Sequence, residues 1–524
     1  MSPWPFLAAL VAPALLSFTL ANAAAAPAAS GPPAAAVAWL PAGADADIDR
    51  AFAQAKAENK PLLLYWGATW CPPCNQLKAT LFNRQDFIER SQAFVPVYVD
   101  GDLPGAQKLG ARFKVRGYPT MILFSPQGTE ITRLPGEVDA PQVMRVLQLG
   151  LAGGRPVKAV LADAKAGKPL SANEWRLLAF YSWDTDEGEL VAEADRAALL
   201  VTLAAAAPQA DRETATRLWL KALAASDDGK GVKADAALRE RVAKLLADPD
   251  AARAQMDVLT GAADEIVRAL DLEGRQRTAF VAAYDKALQR LAADKTLSRA
   301  DRMGALIARI SLARIDLPKD AKAEVKLPAP LVKAVREQVA RDDREITNGY
   351  ERQAVITAGA YALAQAGLMA ESDALLKASL ARSHSPYYLM SQLGANAKAR
   401  GDKAEALRWY EQAFAKSEGP ATRLQWGASY VGALVDLAPQ DAARIERAAS
   451  QVFAEAGAQQ GAFYERSARS LQRVGKKLAS WNAGDAHADV MRRLQAQLEP
   501  VCARLPAGDS QRTTCDALLR PAAG

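Results

Sequence analysis

The feature that most constrains the fold of this chain is the segment Trp70-Cys71-Pro72-Pro73-Cys74, which separates an apolar run from a helix-like stretch. The preceding run, Pro61–Trp66, is apolar throughout and predicts a buried strand. Two consecutive prolines are compatible with a helix only in its first turn, so we expect the helix to begin at Cys71. The sequence therefore predicts two cysteines one turn apart, at the N-terminus of a helix that follows a buried strand.

A Cys-x-x-Cys pair occurs in zinc sites as well as in redox centres. A tetrahedral zinc site needs about four nitrogen or sulfur ligands, and Cys71 and Cys74 supply only two of them. The two histidines, His384 and His487, have no ligand spacing with each other or with the cysteines. We therefore expect no metal site and no cofactor, and we keep soft-metal handling by the dithiol as an alternative.

Strand-like and helix-like patterns alternate over residues 39–151. The predicted helices are Asp45–Glu58, Gly105–Val115 and Val138–Leu149, and the further predicted strands are Phe94–Val99, Thr120–Phe124 and Thr129–Leu134. Ser125-Pro-Gln-Gly128 lies between the last two strands and predicts a hairpin turn. This order of elements indicates an α/β domain.

Several short motifs accompany the cysteine pair in the sequence of this predicted domain. They are Lys60-Pro61 before the first strand, Tyr118-Pro119-Thr120 before a later strand, and Gly136 after the hairpin. With Trp-Cys-x-x-Cys, these motifs make the segment from about residue 45 to residue 150 resemble the thioredoxin superfamily. Its closest resemblance is to the thioredoxin-like reducing domains of the bacterial periplasm.

The resemblance implies a role for each residue around the pair. A thiolate attacks disulfides, and a helix N-terminus stabilises one, so Cys71 is expected to be the nucleophile and Cys74 the resolving cysteine. Pro119 is expected to be a cis proline packed against the pair, and the backbone of the residue before it, Tyr118, to pair with substrate chains like a strand. Trp70 is expected to be an exposed lid that contacts substrate, although a purely packing role is also compatible with the sequence.

Two positions depart from the family pattern. Typical thioredoxins have a buried aspartate where this chain has Tyr65, and the related periplasmic domains have a glutamate where this chain has Lys78. Because these changes remove acids and add a base near the pair, they favour the thiolate form. We therefore expect the pKa of Cys71 to lie below that of a free thiol.

Beyond Gly153-Gly154, the chain is rich in alanine and leucine with helical periodicity, which predicts all-α regions over residues 157–316 and 331–524. The spacing from Met390 through Leu393, Gly394 and Ala397 to Tyr410 resembles the tetratricopeptide repeat. Stacked repeats form concave surfaces that bind peptides, so a peptide or protein partner is one interpretation of this region. Simple packing is the other, because a repeat fold does not define a ligand.

The amino-terminal segment predicts export. Residues 1–23 carry no charged side chain and end in Ala21-Asn22-Ala23, which is typical of a signal peptide and its cleavage site. Residues 24–38 have the composition of a disordered tether. No later segment has the apolar length of a membrane span, so we expect a soluble protein of the periplasm.

The second cysteine pair, Cys502 and Cys515, lies near the other end of the chain. In an oxidising compartment we expect these two residues to form a structural disulfide. A second redox relay is the alternative, although the pair lacks the Cys-x-x-Cys spacing.

Taken together, these features predict an exported thiol–disulfide oxidoreductase that acts on protein thiols and disulfides through Cys71 and Cys74. An upstream membrane disulfide reductase is its expected redox partner. The net charge of +6 is spread over mixed-sign segments, so nucleic acid is not an expected partner. The alternative from another class is a helical-repeat binding or scaffold protein in which the thioredoxin unit serves as a redox adaptor.

Overall fold

The structure is a computed structural model that describes residues 36–136, 139–186, 188–316 and 327–520. The predicted signal peptide, most of the predicted tether, Val138 and residues 521–524 lie outside the described residues. Residues 36–38 are described, and there Val37 packs against the core. Within the described residues, no helix is both long and apolar enough to cross a membrane.

Five strands of the described chain form one sheet in the order β1-β3-β2-β4-β5. Their bounds are β1 Leu40–Ala42, β2 Leu62–Gly67, β3 Val95–Asp100, β4 Thr120–Phe124 and β5 Glu130–Leu134. Strands β1 and β2 run parallel to β3, whereas β4 runs antiparallel to β2 and β5. The central strand β2 is buried along its whole length, as its apolar sequence predicts.

Five helices accompany the sheet within residues 39–151. They are α1 Asp45–Glu58, α2 Pro72–Thr80, α3 Gln85–Arg90, α4 Ala106–Phe113 and α5 Ala140–Leu151. Between β4 and β5, Gly128 adopts a left-handed conformation with φ of 83° and closes the predicted hairpin turn. Strands and helices together form the predicted α/β domain.

The rest of the described chain is helical. Its first part comprises α6 Val157–Lys165, α7 Ala172–Ala179, α8 Arg196–Ala206, α9 Arg212–Ala225, α10 Ala236–Ala247, α11 Pro249–Ala254, α12 Met256–Gly261, α13 Ala263–Ala269, α14 Gly274–Ala293 and α15 Arg299–Ala313. Its second part comprises α16 Ala329–Glu345, α17 Gly349–Gln365, α18 Met369–Ser379, α19 Pro386–Ala399, α20 Lys403–Lys416, α21 Pro420–Leu437, α22 Ala442–Gly457, α23 Glu465–Trp481, α24 Ala488–Ala503 and α25 Ser510–Ala517. Short 3₁₀ helices span Ser91–Ala93, Trp183–Thr185, Glu193–Asp195, Leu380–Arg382 and Ala483–Asp485.

One face of the sheet and the first part of the helical region share an apolar core. Alternate side chains of β2 point to opposite faces, so Leu64 and Trp66 pack with Ile48 of α1, while Leu63 and Tyr65 face the other side. The cluster that contains Leu63 and Tyr65 continues without a break through helices α5 to α15. The helical region is therefore packed onto the α/β domain along this face of the sheet.

Helices α19 and α20 contain the segment that resembles a tetratricopeptide repeat. A Cβ atom built on Gly394 of α19 would lie 3.1 Å from the ring of Tyr410 in α20, closer than most Cβ contacts. Ala397 and Ala406 are fully buried in the same helix pair. A small residue therefore faces a large one where the two helices meet, as the repeat pattern requires, and the family assignment of this segment stays a prediction.

Cys502 of α24 and Cys515 of α25 are joined by a disulfide, with their Cα atoms 5.5 Å apart. Both residues are buried in the apolar cluster of the last helices. The bond therefore fastens the short final helix to a helix that is anchored in the core.

We predict that replacing Cys502 and Cys515 with serine lowers the free energy of unfolding by about 3 kcal/mol, because the bond closes a short loop in the unfolded chain. Chemical denaturation of the double variant and of the parent protein measures this loss. Thiol counting on denatured, non-reduced protein provides the control. Free alkylation of both residues in protein from an oxidising compartment would show that the bond does not form.

Candidate functional site

Cys71 and Cys74 form a disulfide at the N-terminus of α2, with their Cα atoms 5.2 Å apart. Cys71 is the N-cap residue, and its sulfur accepts a hydrogen bond of 3.2 Å from the backbone N–H of Cys74. This N–H group and the positive end of the helix dipole stabilise a thiolate on Cys71 when the bond is reduced. Cys71 is 2% exposed and Cys74 is fully buried.

The loop before α2 is fixed by a buried asparagine. The amide nitrogen of Asn75 donates to the carbonyl oxygens of Thr69 at 2.7 Å and Cys71 at 2.8 Å. One side chain thus ties the two carbonyl groups on either side of Trp70 to the first turn of the helix. This tie holds the cysteine pair in place relative to the end of β2.

The Tyr118-Pro119 segment lies against the cysteine pair, and its peptide bond is cis, as the family resemblance implies. The sulfur of Cys71 is 3.6 Å from the carbonyl oxygen of Tyr118. A Cβ atom on Gly136 would lie 2.9 Å from Cγ of Pro119, and one on Gly101 would overlap the Tyr118 ring. Gly136 and Gly101 therefore provide the space that the Tyr118-Pro119 segment occupies.

Trp70 differs from its expected state as an exposed lid, because the helical region half-buries it. Its ring stacks on Tyr388 at 6.0 Å between ring centroids, and the guanidinium group of Arg466 lies 4.7 Å from its ring centroid. Its indole nitrogen donates a hydrogen bond of 3.1 Å to Asp102. Contacts from α19, α23 and the loop after β3 thus hold Trp70 in one orientation.

Asp102 is the polar centre of this interface. Besides Trp70, its carboxylate accepts hydrogen bonds from the backbone N–H of Thr422 at 2.9 Å and from the hydroxyl of Thr422 at 2.6 Å. It also pairs with Arg466 at 3.3 Å, and both side chains are largely buried. One carboxylate therefore joins the α/β domain to α21 and α23.

Further hydrogen bonds attach α2 and its loop to the helical region. Gln353 of α17 donates to the carbonyl oxygen of Trp70 at 3.2 Å, and Nε2 of His384 lies 3.0 Å from the carbonyl oxygen of Thr69. Gln76 of α2 donates to Asp301 of α15 at 2.6 Å. The surface around the cysteine pair is therefore covered by the chain's own helices.

The two positions that depart from the family pattern both lie near a third group, Asp100. Burial raises the pKa of the Tyr65 hydroxyl far above its usual range, and the negative charge of Asp100 contributes to this shift. Burial also lowers the pKa of Lys78, while the Asp100 charge opposes that shift. The pKa of Asp100 is itself raised by burial. A carboxyl group is thus present in this region, but it comes from the end of β3 rather than from either family position.

A groove of about 370 Å³ opens beside Cys71. Cys71, Pro72 and Trp70 form part of its wall, and Tyr118 and Tyr388 form another part. The remaining wall includes four arginines, Arg116, Arg466, Arg469 and Arg473. The described residues that line this groove include no aspartate or glutamate.

The motif residues identified from the sequence therefore lie together: Trp70, Cys71, Cys74, Tyr118 and Pro119. Cys502 and Cys515 are not part of this site. Asp102 and Arg466, which are 364 residues apart in the chain, were not predicted from the sequence. The spacing of Arg466, Arg469 and Arg473 on one face of α23 was the available signal. The described residues contain no group of three or more His, Cys, Asp or Glu arranged to hold a metal ion.

Comparison with known proteins gives matches to the α/β domain. Residues 48–150 match the family described as a thioredoxin-like domain. The thiol:disulfide interchange protein DsbD 2 of Pseudomonas aeruginosa is 35% identical over 107 residues, which are 20% of this chain and 18% of that protein. DsbD of Cronobacter sakazakii is 35% identical over 99 residues, 18% of this chain and 17% of that protein. The chain thus spans about a fifth of the length of these curated relatives.

Among solved structures, a DsbH oxidoreductase aligns with 25% of this chain and 95% of its own, at 18% identity and a TM-score of 0.20. A circular tandem repeat protein aligns with 70% of this chain and 78% of its own, at 16% identity and a TM-score of 0.16. The family match and the sheet topology agree on the amino-terminal part of the chain. Residues 48–150 therefore form a thioredoxin-like domain, and a large all-helical region follows it.

Proposed function

We propose that this protein is a thiol–disulfide oxidoreductase that exchanges disulfides with partner proteins through Cys71 and Cys74. The observation that carries the proposal is the cysteine pair at the N-terminus of α2, with the Cys74 N–H group directed at the Cys71 sulfur. The similarity of this domain to thiol:disulfide interchange proteins supports the same chemistry. Cys71 is the proposed nucleophile, and the fully buried Cys74 is the proposed resolving cysteine.

The reaction is a two-electron exchange. The Cys71 thiolate attacks one sulfur of a substrate disulfide, and the other sulfur leaves as a thiolate. Cys74 then attacks the mixed disulfide, which releases the reduced substrate and leaves Cys71 and Cys74 joined. Trp70 and Tyr118 are proposed substrate-contacting residues, because both border the groove and the carbonyl oxygen of Tyr118 lies near the sulfur of Cys71. Pro119 is proposed with them because it directly follows Tyr118.

The redox potential tests the direction of this exchange. The N-terminus of α2 and the Cys74 N–H group favour a Cys71 thiolate, which stabilises the reduced form. We therefore propose a potential above the −270 mV or so that is typical of thioredoxin. Equilibration with glutathione buffers followed by thiol trapping measures it. A potential at or below that of thioredoxin would contradict the thiolate argument, and failure to exchange with glutathione at all would contradict the oxidoreductase proposal.

We further propose that the protein is exported to the periplasm, where a membrane disulfide reductase re-reduces it. The uncharged apolar leader and the small residues at Ala21 and Ala23 support export. Mass measurement of the periplasmic protein should find an amino terminus near Ala24. Recovery of only the full-length chain from the cytosol would argue against export.

The proposed role of the helical region rests on its contacts around the cysteine pair. Helices α17, α19 and α23 contact the segment around the cysteine pair or its Trp70, and α21 contacts Asp102, which accepts a hydrogen bond from Trp70. These contacts support the proposal that the helical region controls access to the cysteine pair. They argue against the alternative in which the helical region is an independent scaffold and the cysteine pair is an accessory to it. Substrates would then reach Cys71 through the arginine-lined groove.

A further inference from the structure

The groove beside Cys71 has a composition that points to a class of substrate. Three of its arginines, Arg466, Arg469 and Arg473, stand on one face of α23 at spacings of three and four residues. We propose that this groove selects disulfide substrates that carry carboxylates close to the reacting sulfur atoms. The inference deepens the proposed oxidoreductase function and rests on it.

The arginines are not equally available to a substrate. Arg466 is engaged by Asp102, Thr422 and Gln425. Arg469 donates to Glu465 at 2.9 Å and to the carbonyl oxygen of Arg116 at 2.6 Å. Two of the three side chains are thus held in place and shape the groove.

Arg473 is the available cation. Its guanidinium group donates to the hydroxyl of Ser470 at 3.1 Å, and no described carboxylate lies within ion-pair distance of it. The residue is exposed to solvent and lines the groove. Its pKa is lowered by partial burial and by the positive charges of Arg469 and Arg466. A bound carboxylate would relieve this repulsion, since guanidinium groups bind carboxylates with two parallel hydrogen bonds.

The size of the groove limits what can enter. A volume of about 370 Å³ lies at the lower end of the range for small-molecule sites, which is about 300–1,000 Å³. It accommodates a small disulfide or the few residues that flank one cysteine of a peptide. Tyr118, Tyr388 and Trp70 supply the apolar walls for the rest of such a group.

The charges also suit the chemical step. Attack by the Cys71 thiolate breaks the substrate disulfide and forms a Cys71–substrate disulfide, while the second substrate sulfur departs as a thiolate. Cys74 then breaks the mixed bond and releases the other sulfur, so two electrons pass from the cysteine pair to the substrate. Arginine cations near the groove stabilise both the departing thiolate and the carboxylates beside it.

The test uses the full chain, reduced with dithiothreitol and desalted, and follows the loss of the Cys71 and Cys74 thiols in a single turnover. Glutathione disulfide, which carries carboxylates, is compared with uncharged bis(2-hydroxyethyl) disulfide. A second arm compares short peptide disulfides in which the cysteine is flanked by glutamates or by glutamines. The variant is Arg473→Gln, and the matched control is Lys476→Gln, an exposed cation on the same helix that does not line the groove.

We expect Arg473→Gln to slow the reaction with the carboxylate-bearing disulfides by about three- to tenfold more than the reaction with the uncharged ones, and we expect Lys476→Gln to change neither rate. An effect in the glutathione arm identifies small carboxylate-bearing disulfides as substrates, and an effect in the peptide arm alone identifies acidic peptide segments. A ratio of carboxylate-bearing to uncharged rates that is the same in Arg473→Gln and in the parent, in both arms, would overturn this inference. Failure of the parent to react with any of the disulfides would instead overturn the proposed function.

Discussion

Replacing Cys71 with serine will abolish disulfide exchange, with a loss of about three orders of magnitude or more. A serine hydroxyl at this position cannot form the thiolate that the N-terminus of α2 stabilises, so no mixed disulfide forms. Replacing Cys74 with serine will preserve the first attack, because the Cys71 sulfur remains at the groove. The Cys74→Ser protein should therefore accumulate as a mixed disulfide with its substrate.

Single-turnover thiol loss and mass spectrometry of trapped complexes measure both effects. The Cys502→Ser/Cys515→Ser double variant is the matched control, since it removes the cysteine pair outside the site without leaving a free thiol and should leave exchange unchanged. Covalent complexes formed by Cys71→Ser instead of Cys74→Ser would reverse the proposed roles of the two cysteines. Equal activity of both single variants would show that the pair is not the reaction centre.

The thioredoxin-like domain could be predicted from the sequence because its signals are local. Helix α1 and strand β4 have the predicted bounds, Asp45–Glu58 and Thr120–Phe124. Strand β1 was missed because it has only three residues and is defined by its pairing with β3. Helix α3 was missed because it has six residues and no side-chain cap at Arg84. Short elements depend on tertiary contacts rather than on a periodic pattern.

The packing of the helical region around the cysteine pair could not be predicted in the same way. Gln353 and Trp70 are separated by 283 residues, and Asp102 and Thr422 by 320. A single sequence carries no signal for such pairs, because each side chain alone resembles an ordinary surface residue. The expectation of an exposed Trp70 was wrong for this reason, since the family pattern describes the domain without the helices packed on it.

The covering helices also change the surroundings of the proposed substrate-contacting residues. The family resemblance implies that the backbone of Tyr118 pairs with substrate chains like a strand. Here Tyr118 and Trp70 instead border a groove whose opposite wall belongs to α19 and α23. A folded protein surface cannot enter a groove of about 370 Å³, whereas a mobile segment or a small disulfide can. Under the proposed function, we therefore expect the helical region to limit the size of substrates as well as to favour those with carboxylates.

Asp102 joins the thioredoxin-like domain to helices α21 and α23, and we expect the loss of its carboxylate to weaken this association strongly. The carboxylate accepts from Trp70 and Thr422 and pairs with Arg466. An asparagine has the same shape but has only one oxygen acceptor and presents an NH₂ group to donors. At least one of the three partners would then face another donor in a largely buried interface, which is costly.

We therefore predict that Asp102→Asn lowers the free energy of unfolding by about 2–4 kcal/mol. The matched control is Asp45→Asn, which removes exposed ion pairs with Lys108 and Arg112 and should cost less than about 1 kcal/mol. Urea denaturation of the oxidised proteins measures both values.

Opening of the interface in Asp102→Asn should also speed the reduction of a large protein disulfide more than that of a small one, because the groove would no longer exclude folded surfaces. Equal losses in the two variants, or an unchanged ratio of large to small substrates, would show that Asp102 does not hold the helical cover over Cys71.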